Sequence, residues 1–259
     1  MASICLRTQG GFANRFRAIV SAVLWAEDLD RKLVIYWPVE PGHMACALGE
    51  LLEVSSIPRL CCVHAGYLSK AHQVLSAADM QTVISLRSLG EDEIRIESYS
   101  EFHPELRKAR GLAVFRAICV KGEIQAMADS LWASFTGVTT AIHFRGTDHK
   151  KCLLSSPLSA FLDLVRTGAG AGTGTEKYLL CTDEPEVASQ FLEEFGPLQI
   201  VVPVSVRGRR LASQQIQGVV DWLLLQKCSR ILGSAGSSFS ETAALRSGAS
   251  LLPVLTLKP

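Results

Sequence analysis

The chain has 259 residues, 48% of them hydrophobic, and carries 26 basic and 25 acidic side chains for a formal net charge of +1. That length holds one large domain or two ordinary ones with real cores, and the composition excludes disordered, collagen-like and coiled-coil chains. A near-neutral balance without a basic run argues against nucleic acid as the main partner.

The local run Arg207-Gly208-Arg209-Arg210 reads either as a basic pocket or as a solvated loop. No apolar stretch approaches the ~20 residues that cross a bilayer, so no membrane span is expected. A strand begins almost at once at Ser3, which predicts no signal peptide and a cytoplasmic protein. The secretory-pathway lumen is the alternative if the chain has been trimmed. Eight cysteines show no CxxC spacing and none stands at zinc-finger distance from a histidine. Buried, reduced thiols and no metal are expected.

The first strand runs into Leu6-Arg7-Thr8-Gln9-Gly10-Gly11, and a helix is predicted from Phe12 to about Leu29. Phe12, Phe16, Ile19, Val20, Val23 and Leu24 form its apolar stripe. Lys32 to Trp37 reads as a strand closed by Pro38, completing a βαβ unit with a glycine turn at its crossover. The turn is not GxGxxG, but glycines there let backbone approach a ligand closely. Residues 39–105 are patterned less clearly: a short helix at Cys46 to Val54, then strands at Arg59 to Val63, Thr82 to Leu86 and Glu93 to Ile96. Glu105 to Phe135 reads as mostly helical, broken near Lys121-Gly122.

From 138 the alternation is plain. Strand 138–144 leads to a helix opening at Ser156-Pro157, then a glycine-rich loop at 168–175. Strand 177–182, helix 184–195, strand 198–203, helix 213–227, strand 230–234, helix 237–247 and strand 250–255 follow. This order predicts an α/β protein with mainly parallel sheets and helices on both faces. Glycine-bearing crossovers near 10 and 146 divide it into two Rossmann-like domains, 1–135 and 136–259, facing across a cleft that holds the site.

His143, Arg145, Thr147 and Asp148 lie at the end of the apolar run 138–144. Open α/β sheets bind ligands at the carboxyl ends of their strands. Arg145 suits a phosphate, because its planar fork donates two parallel charge-assisted hydrogen bonds. His143 is either a satisfied core histidine or, since Arg145 two positions on shares its strand face, a residue of the cleft. Asp148 serves as a base or orients Arg145. In Gly233-Ser234-Ala235-Gly236-Ser237-Ser238-Phe239-Ser240-Glu241, small residues precede a helix whose free N–H groups and dipole suit an anion. Ser238 and Glu241 also match a capping box, which needs no ligand. Asp183 either accepts hydrogen bonds from a base or ribose, or caps the helix after it. Asn14 and Arg17 share one side of the first helix, lining the cleft or facing solvent.

These pieces, in this order, resemble the fucosyltransferase superfamily of α1,6-fucosyltransferases, of nodulation and N-glycan type, and protein O-fucosyltransferases. Gly10-Gly11-Phe12-Ala13-Asn14-Arg15 resembles its G-G-x-x-N-R motif and His143-Phe144-Arg145-Gly146-Thr147-Asp148 its H-x-R-x-x-D motif. Asp221 to Glu241 resembles its closing motif. The resemblance implies a GT-B fold and transfer of fucose with inversion from GDP-fucose to a glycan or protein hydroxyl, with no metal or other cofactor. Arg145 would hold the diphosphate with Ser237 and Ser238. His143 and Phe239 would line the donor pocket, and Asp183 would touch guanosine. Gly10, Gly11, Asn14 and Arg17 would line the cleft from the acceptor-side domain. The chain departs from the pattern at Gly146, where nodulation-type members often have a second arginine, and at 150–154, which holds no carboxylate. Asp148 is then the acidic participant. A nucleotide-sugar-binding protein without transfer chemistry is the alternative. A dehydrogenase-like enzyme is opposed by the missing GxGxxG and Walker patterns.

Overall fold

The computed structural model describes residues 2–40, 42–86, 92–146, 150–168, 176–203 and 210–255. The chain divides into two compact units, Met1–Gly122 with Arg209–Ile216 and Glu123–Gly208 with Gln217–Pro259. This division and the expected one at 135/136 both leave the first five strands on one side and the last five on the other.

The first unit contains β1 (Ser3–Thr8), α1 (Phe12–Asp28), β2 (Lys32–Tyr36), α2 (Leu48–Leu51), a 3₁₀ turn (Val54–Ser56), β3 (Leu60–His64), β4 (His72–Gln73), α3 (Ala77–Leu86), β5 (Glu93–Ser98) and α4 (Ala109–Ala117). Its strands are parallel, in the order β3-β2-β1-β5-β4. α1 buries the apolar stripe read from sequence, and it is pinned at its far end. Trp25 Nε1 donates to the Phe102 carbonyl at 2.9 Å, and the Phe102 N–H donates to Ser21 Oγ at 3.0 Å. β2 and β5 alternate strictly. Leu33, Ile35, Ile94 and Ile96 are buried, while Val34, Tyr36, Arg95 and Glu97 are half-covered. One face of these strands is the more tightly packed.

Residues 82–86 belong to helix α3 rather than to the expected strand. The run Thr82-Val83-Ile84 has strand composition, but Met80 and Val83 are its buried pair, at helical spacing. Ser76 and Asp79 supply a start signal. Ser76 Oγ accepts the Asp79 N–H at 3.2 Å and Asp79 Oδ2 accepts the Leu75 N–H at 3.0 Å. The short helix expected at 46–54 contracts to α2 and the 3₁₀ turn.

The second unit contains nearly all of α5 (Gly122–Ala133), β6 (Val138–Phe144), α6 (Lys150–Ser155), α7 (Leu158–Arg166), β7 (Lys177–Thr182), α8 (Pro185–Phe195), β8 (Ile200–Val201), the part of α9 (Ala212–Lys227) from Gln217 on, β9 (Arg230–Ser234), α10 (Ser238–Ser247) and β10 (Ser250–Val254). Its strands are parallel, in the order β10-β9-β6-β7-β8. β7 and β9 are buried almost without interruption, as strands covered on both faces must be. Ile142, Phe144, Leu180 and Leu232 pack with Phe161 of α7 and Phe191 of α8 in one core. Phe144 and Phe161 meet edge to face at 5.4 Å. The strand expected at 198–203 reduces to β8, and α6 precedes the helix that was expected from Ser156. Among the described residues, no helix is long and apolar enough to cross a membrane.

Candidate functional site

In the second unit the chain winds from β6 through β7 to β8 on one side, and places β9 and β10 on the other. The winding reverses between β6 and β9, and ligands of open α/β sheets sit outside the carboxyl ends at such a reversal. The H-x-R segment ends β6 there, and the small-residue turn after β9 faces the same gap.

Side chains fasten the two strand ends together. The Arg145 N–H donates to Ser234 Oγ at 3.0 Å, and Ser234 Oγ in turn donates to the His143 carbonyl at 3.5 Å. His143 is buried and stacks on Phe239, with ring centroids 5.0 Å apart and planes 26° from parallel. The Gly146 N–H donates to Asp183 Oδ1 at 3.0 Å. Asp183 is therefore not the cap of α8; the N-cap is Glu184 and carries no side-chain capping bond. A Cβ on Gly146 would overlap the Glu184 side chain, so this glycine and the glutamate form a matched pair. Burial raises the Glu184 carboxyl above the ordinary range, and the Asp183 and Glu186 charges add to the rise.

The turn between β9 and α10 is built from the other side. Ser156 Oγ accepts the Ala235 N–H at 2.8 Å and donates to the Val254 carbonyl. α10 is capped at Ser237, one residue before the expected box, and no side chain closes that cap. Ser237 is buried, and its hydroxyl has no hydrogen-bond partner. Buried hydroxyls are normally bonded. This one stands beside the free N–H groups of a ten-residue helix. Asp148 and Thr147, and Arg207 to Arg209, lie outside the described residues. Arg210 is exposed, with its N–H donating to Gln214 Oε1.

In the first unit the winding reverses between β1 and β5. Gly10, Gly11, Asn14 and Arg17 gather at that point. Gly10 has φ +75°, and a Cβ there would lie 2.9 Å from Asn14 Nδ2, so two constraints demand glycine. Arg17 is half-covered and donates to Asn14 Oδ1 at 3.0 Å and to the Tyr99 carbonyl at 3.3 Å. Neither alternative read for it, cleft lining or open solvent, anticipated this pairing.

Sequence reading passed over Arg15, the last residue of the G-G-x-x-N-R pattern. It is wholly buried. Its Nε donates to the Gly10 carbonyl at 2.7 Å and Nη1 to the Pro38 carbonyl at 2.8 Å. The guanidinium lies 4.7 Å from the Trp37 ring centroid, and Nη2 lies 3.9 Å from Glu40 Oε2. Burial lowers its pKa to about 10, with Glu40 opposing the fall, so it is cationic at neutral pH. Arg15 thus clamps the glycine turn to the end of β2. The tell was an arginine on an otherwise apolar helix face.

No protein-family model and no curated protein matches the chain. Solved structures do. The fucosyltransferase NodZ from Bradyrhizobium superposes with a TM-score of 0.67 at 17% identity, over 93% of this chain and 91% of that one. POFUT1 does so with 0.64 at 10% identity, over 99% and 98%. The FUT1 mutant of Arabidopsis thaliana, in complex with GDP, gives 0.66 at 9% identity, over 96% and 69%. The fold is that of the GT-B fucosyltransferases. Among these structures, NodZ was solved with GDP and after soaking with GDP-fucose, and POFUT1 in complex with GDP-fucose.

Proposed function

We propose that the chain is a glycosyltransferase that moves fucose, with inversion and without a metal, from GDP-fucose to a glycan or protein hydroxyl. The observation that carries this reading is the gap between β6 and β9. One end of it is bounded by Arg145, the other by a helix start whose buried Ser237 hydroxyl has no partner among the described residues. In this reading Arg145, Ser237, Ser238 and the first N–H groups of α10 hold the diphosphate. The stacked His143 and Phe239 pair lines the nucleotide pocket, and Asp183 touches guanosine. GDP-fucose as donor and GDP as the leaving nucleotide come to this chain from the solved structures that share its fold.

The chemistry follows from charge. As the acceptor oxygen bonds to the anomeric carbon from one face, the bond to the β-phosphate oxygen breaks on the other. GDP leaves with the bonding pair. Fixed positive donors around that phosphate stabilise the charge it gains, and they need no reorganisation to do so. The acceptor's proton goes to a carboxylate, the part Asp148 plays here. Gly10, Gly11, Asn14 and Arg17 belong to the acceptor side.

Thermal unfolding with GDP, GDP-fucose, UDP, ADP and NAD, each in EDTA, tests the donor. A ligand that binds only the folded state stabilises it by about 2.7 kcal/mol at a hundredfold excess over Kd. A shift confined to the guanosine ligands is expected, and no guanosine shift overturns the reading. Arg145→Ala is expected to abolish transfer and leave the fold intact. The absence of any carboxylate at 150–154 favours a second reading, a binding protein without transfer. GDP binding without turnover across a broad acceptor panel would select it.

A further inference from the structure

The polar groups at the winding reversal of the first unit form a closed circuit. Arg7, near the end of β1, donates to Glu97 of β5 at 2.9 Å. Two residues on, the Tyr99 carbonyl accepts from Arg17, which holds Asn14. Asn14 abuts Gly10, whose carbonyl takes the Arg15 bond. Arg15 faces Glu40 at 3.9 Å, and Glu40 Oε1 accepts the Tyr67 hydroxyl at 2.8 Å. The Tyr67 ring returns the circuit to its start, lying 4.6 Å from the Arg7 guanidinium.

Two aromatic side chains stand out of this circuit. Tyr67 is 62% exposed and Tyr99 40% exposed. Tyr67 is fixed twice, through its hydroxyl by Glu40 and through one ring face by Arg7. Most of Tyr67 is nonetheless exposed. A large aromatic ring held rigid and bare costs hydrophobic burial unless something covers it. The electron-rich face of an aromatic ring attracts the polarised C–H groups on one side of a pyranose. The hydroxyls round a pyranose edge need short, planar, paired donors and acceptors. Here these are two carboxylates, an amide and guanidinium groups. Glu97 and Glu40 offset the charges of Arg7 and Arg15, which suits a neutral ligand better than an ionic one.

We propose that this circuit is a saccharide-binding platform for neutral pyranose oligosaccharides, with Tyr67 as its stacking ring and Glu40, Glu97 and Asn14 as its hydroxyl partners. Under the transferase reading it seats the acceptor and makes that acceptor a glycan rather than a folded protein. The inference rests on that reading for the occupant's role, and on the circuit alone for its chemistry.

The test uses the whole chain and immobilised neutral tetrasaccharides of glucose, mannose and N-acetylglucosamine, beside an unglycosylated protein acceptor set. Wild type, Tyr67→Phe and Tyr67→Ala are compared, each also measured for its thermal shift with GDP. Wild type is expected to bind at least one tetrasaccharide. Tyr67→Phe should keep most of that affinity, because it keeps the ring, and Tyr67→Ala should lose about tenfold or more. The GDP shift should be equal in all three. Saccharide binding unchanged in Tyr67→Ala overturns the platform, as does binding of protein acceptors with none of the saccharides. A normal saccharide result with no GDP shift in any protein leaves the platform standing and removes the donor reading instead.

Discussion

Arg15 places a full charge out of reach of water, with Glu40 at 3.9 Å as its carboxylate, so its hydrogen bonds to two carbonyls and its contact with Trp37 bear much of the burden. Removing it leaves those two carbonyls without their donor, at about 1–3 kcal/mol for each that stays unsatisfied. Arg15→Leu is expected to lose that much in urea unfolding. Ser237 presents the opposite case, since its hydroxyl bonds to nothing among the described residues. Ser237→Ala should leave stability unchanged and weaken GDP binding by about fivefold, the worth of one hydrogen bond of ~1 kcal/mol. Titration of GDP by calorimetry reads that directly. Glu184 gives a pH signature. Its carboxyl is raised in the fold, so its contribution to stability is full below the ordinary carboxylate pKa and is lost as pH rises through the raised value. Glu184→Gln is expected to be slightly more stable than wild type at neutral pH, and the advantage should vanish in acid. An advantage that persisted at low pH would contradict the assigned cause.

At the scale of elements, the tie between α7's leading residue pair and the turn after β9 decides how well that turn holds its shape. Ser156→Ala removes the hydrogen bonds that Ser156 makes to the Ala235 N–H and the Val254 carbonyl, each worth about 1 kcal/mol. A drop in melting temperature accompanied by weaker GDP binding is expected. A drop with unaltered binding would show that the turn keeps its shape unaided. Packing between β9 and α10 is similarly unforgiving. A Cβ on Gly233 would lie 2.7 Å from Ser240 Oγ and 3.1 Å from Leu251 Cδ1. Gly233→Ala should cost about 1–3 kcal/mol, visible in denaturant unfolding. Elements with long apolar periods, such as α1, β6 and β7, could be read from sequence because burial on one or both faces writes a repeat. Segment 82–86 could not, because β-branched composition spoke for a strand while capping by Ser76 and Asp79 decided for a helix. β4 and β8 are two residues each, too short to carry any period. The H-x-R end of β6 was legible as a cluster on one strand. The circuit of Arg7, Glu40, Tyr67 and Glu97 was not, since its members come from separate strand ends and only the sheet order assembles them.

For the molecule as a whole, the thiols report on both units at once. Among the described cysteines, Cys5, Cys46, Cys181 and Cys228 are buried, while Cys61 and Cys119 are exposed and Cys62 is half-covered. The expectation of uniformly buried thiols therefore holds for only part of the set. Burial pushes Cys46 up to about 11 and Cys228 up to about 12, which removes the reactive thiolate at neutral pH. An aromatic disulfide reagent should label Cys61 and Cys119 rapidly in the native protein, and the buried four only as their unit opens. Mass spectrometry of the labelled peptides under rising urea would then give each unit its own unfolding curve.

β10 forms one border of the second sheet, and through Ser156 its Val254 carbonyl is coupled to the backbone that opens α10. Anything that draws that border strand out of register, whether an affinity tag, a crosslink or an invading peptide, therefore pulls on a loop it never touches. Purification handles placed beyond residue 255 would on this account alter ligand affinity without altering a single ligand contact, and the placement of a tag becomes an experimental variable rather than a convenience.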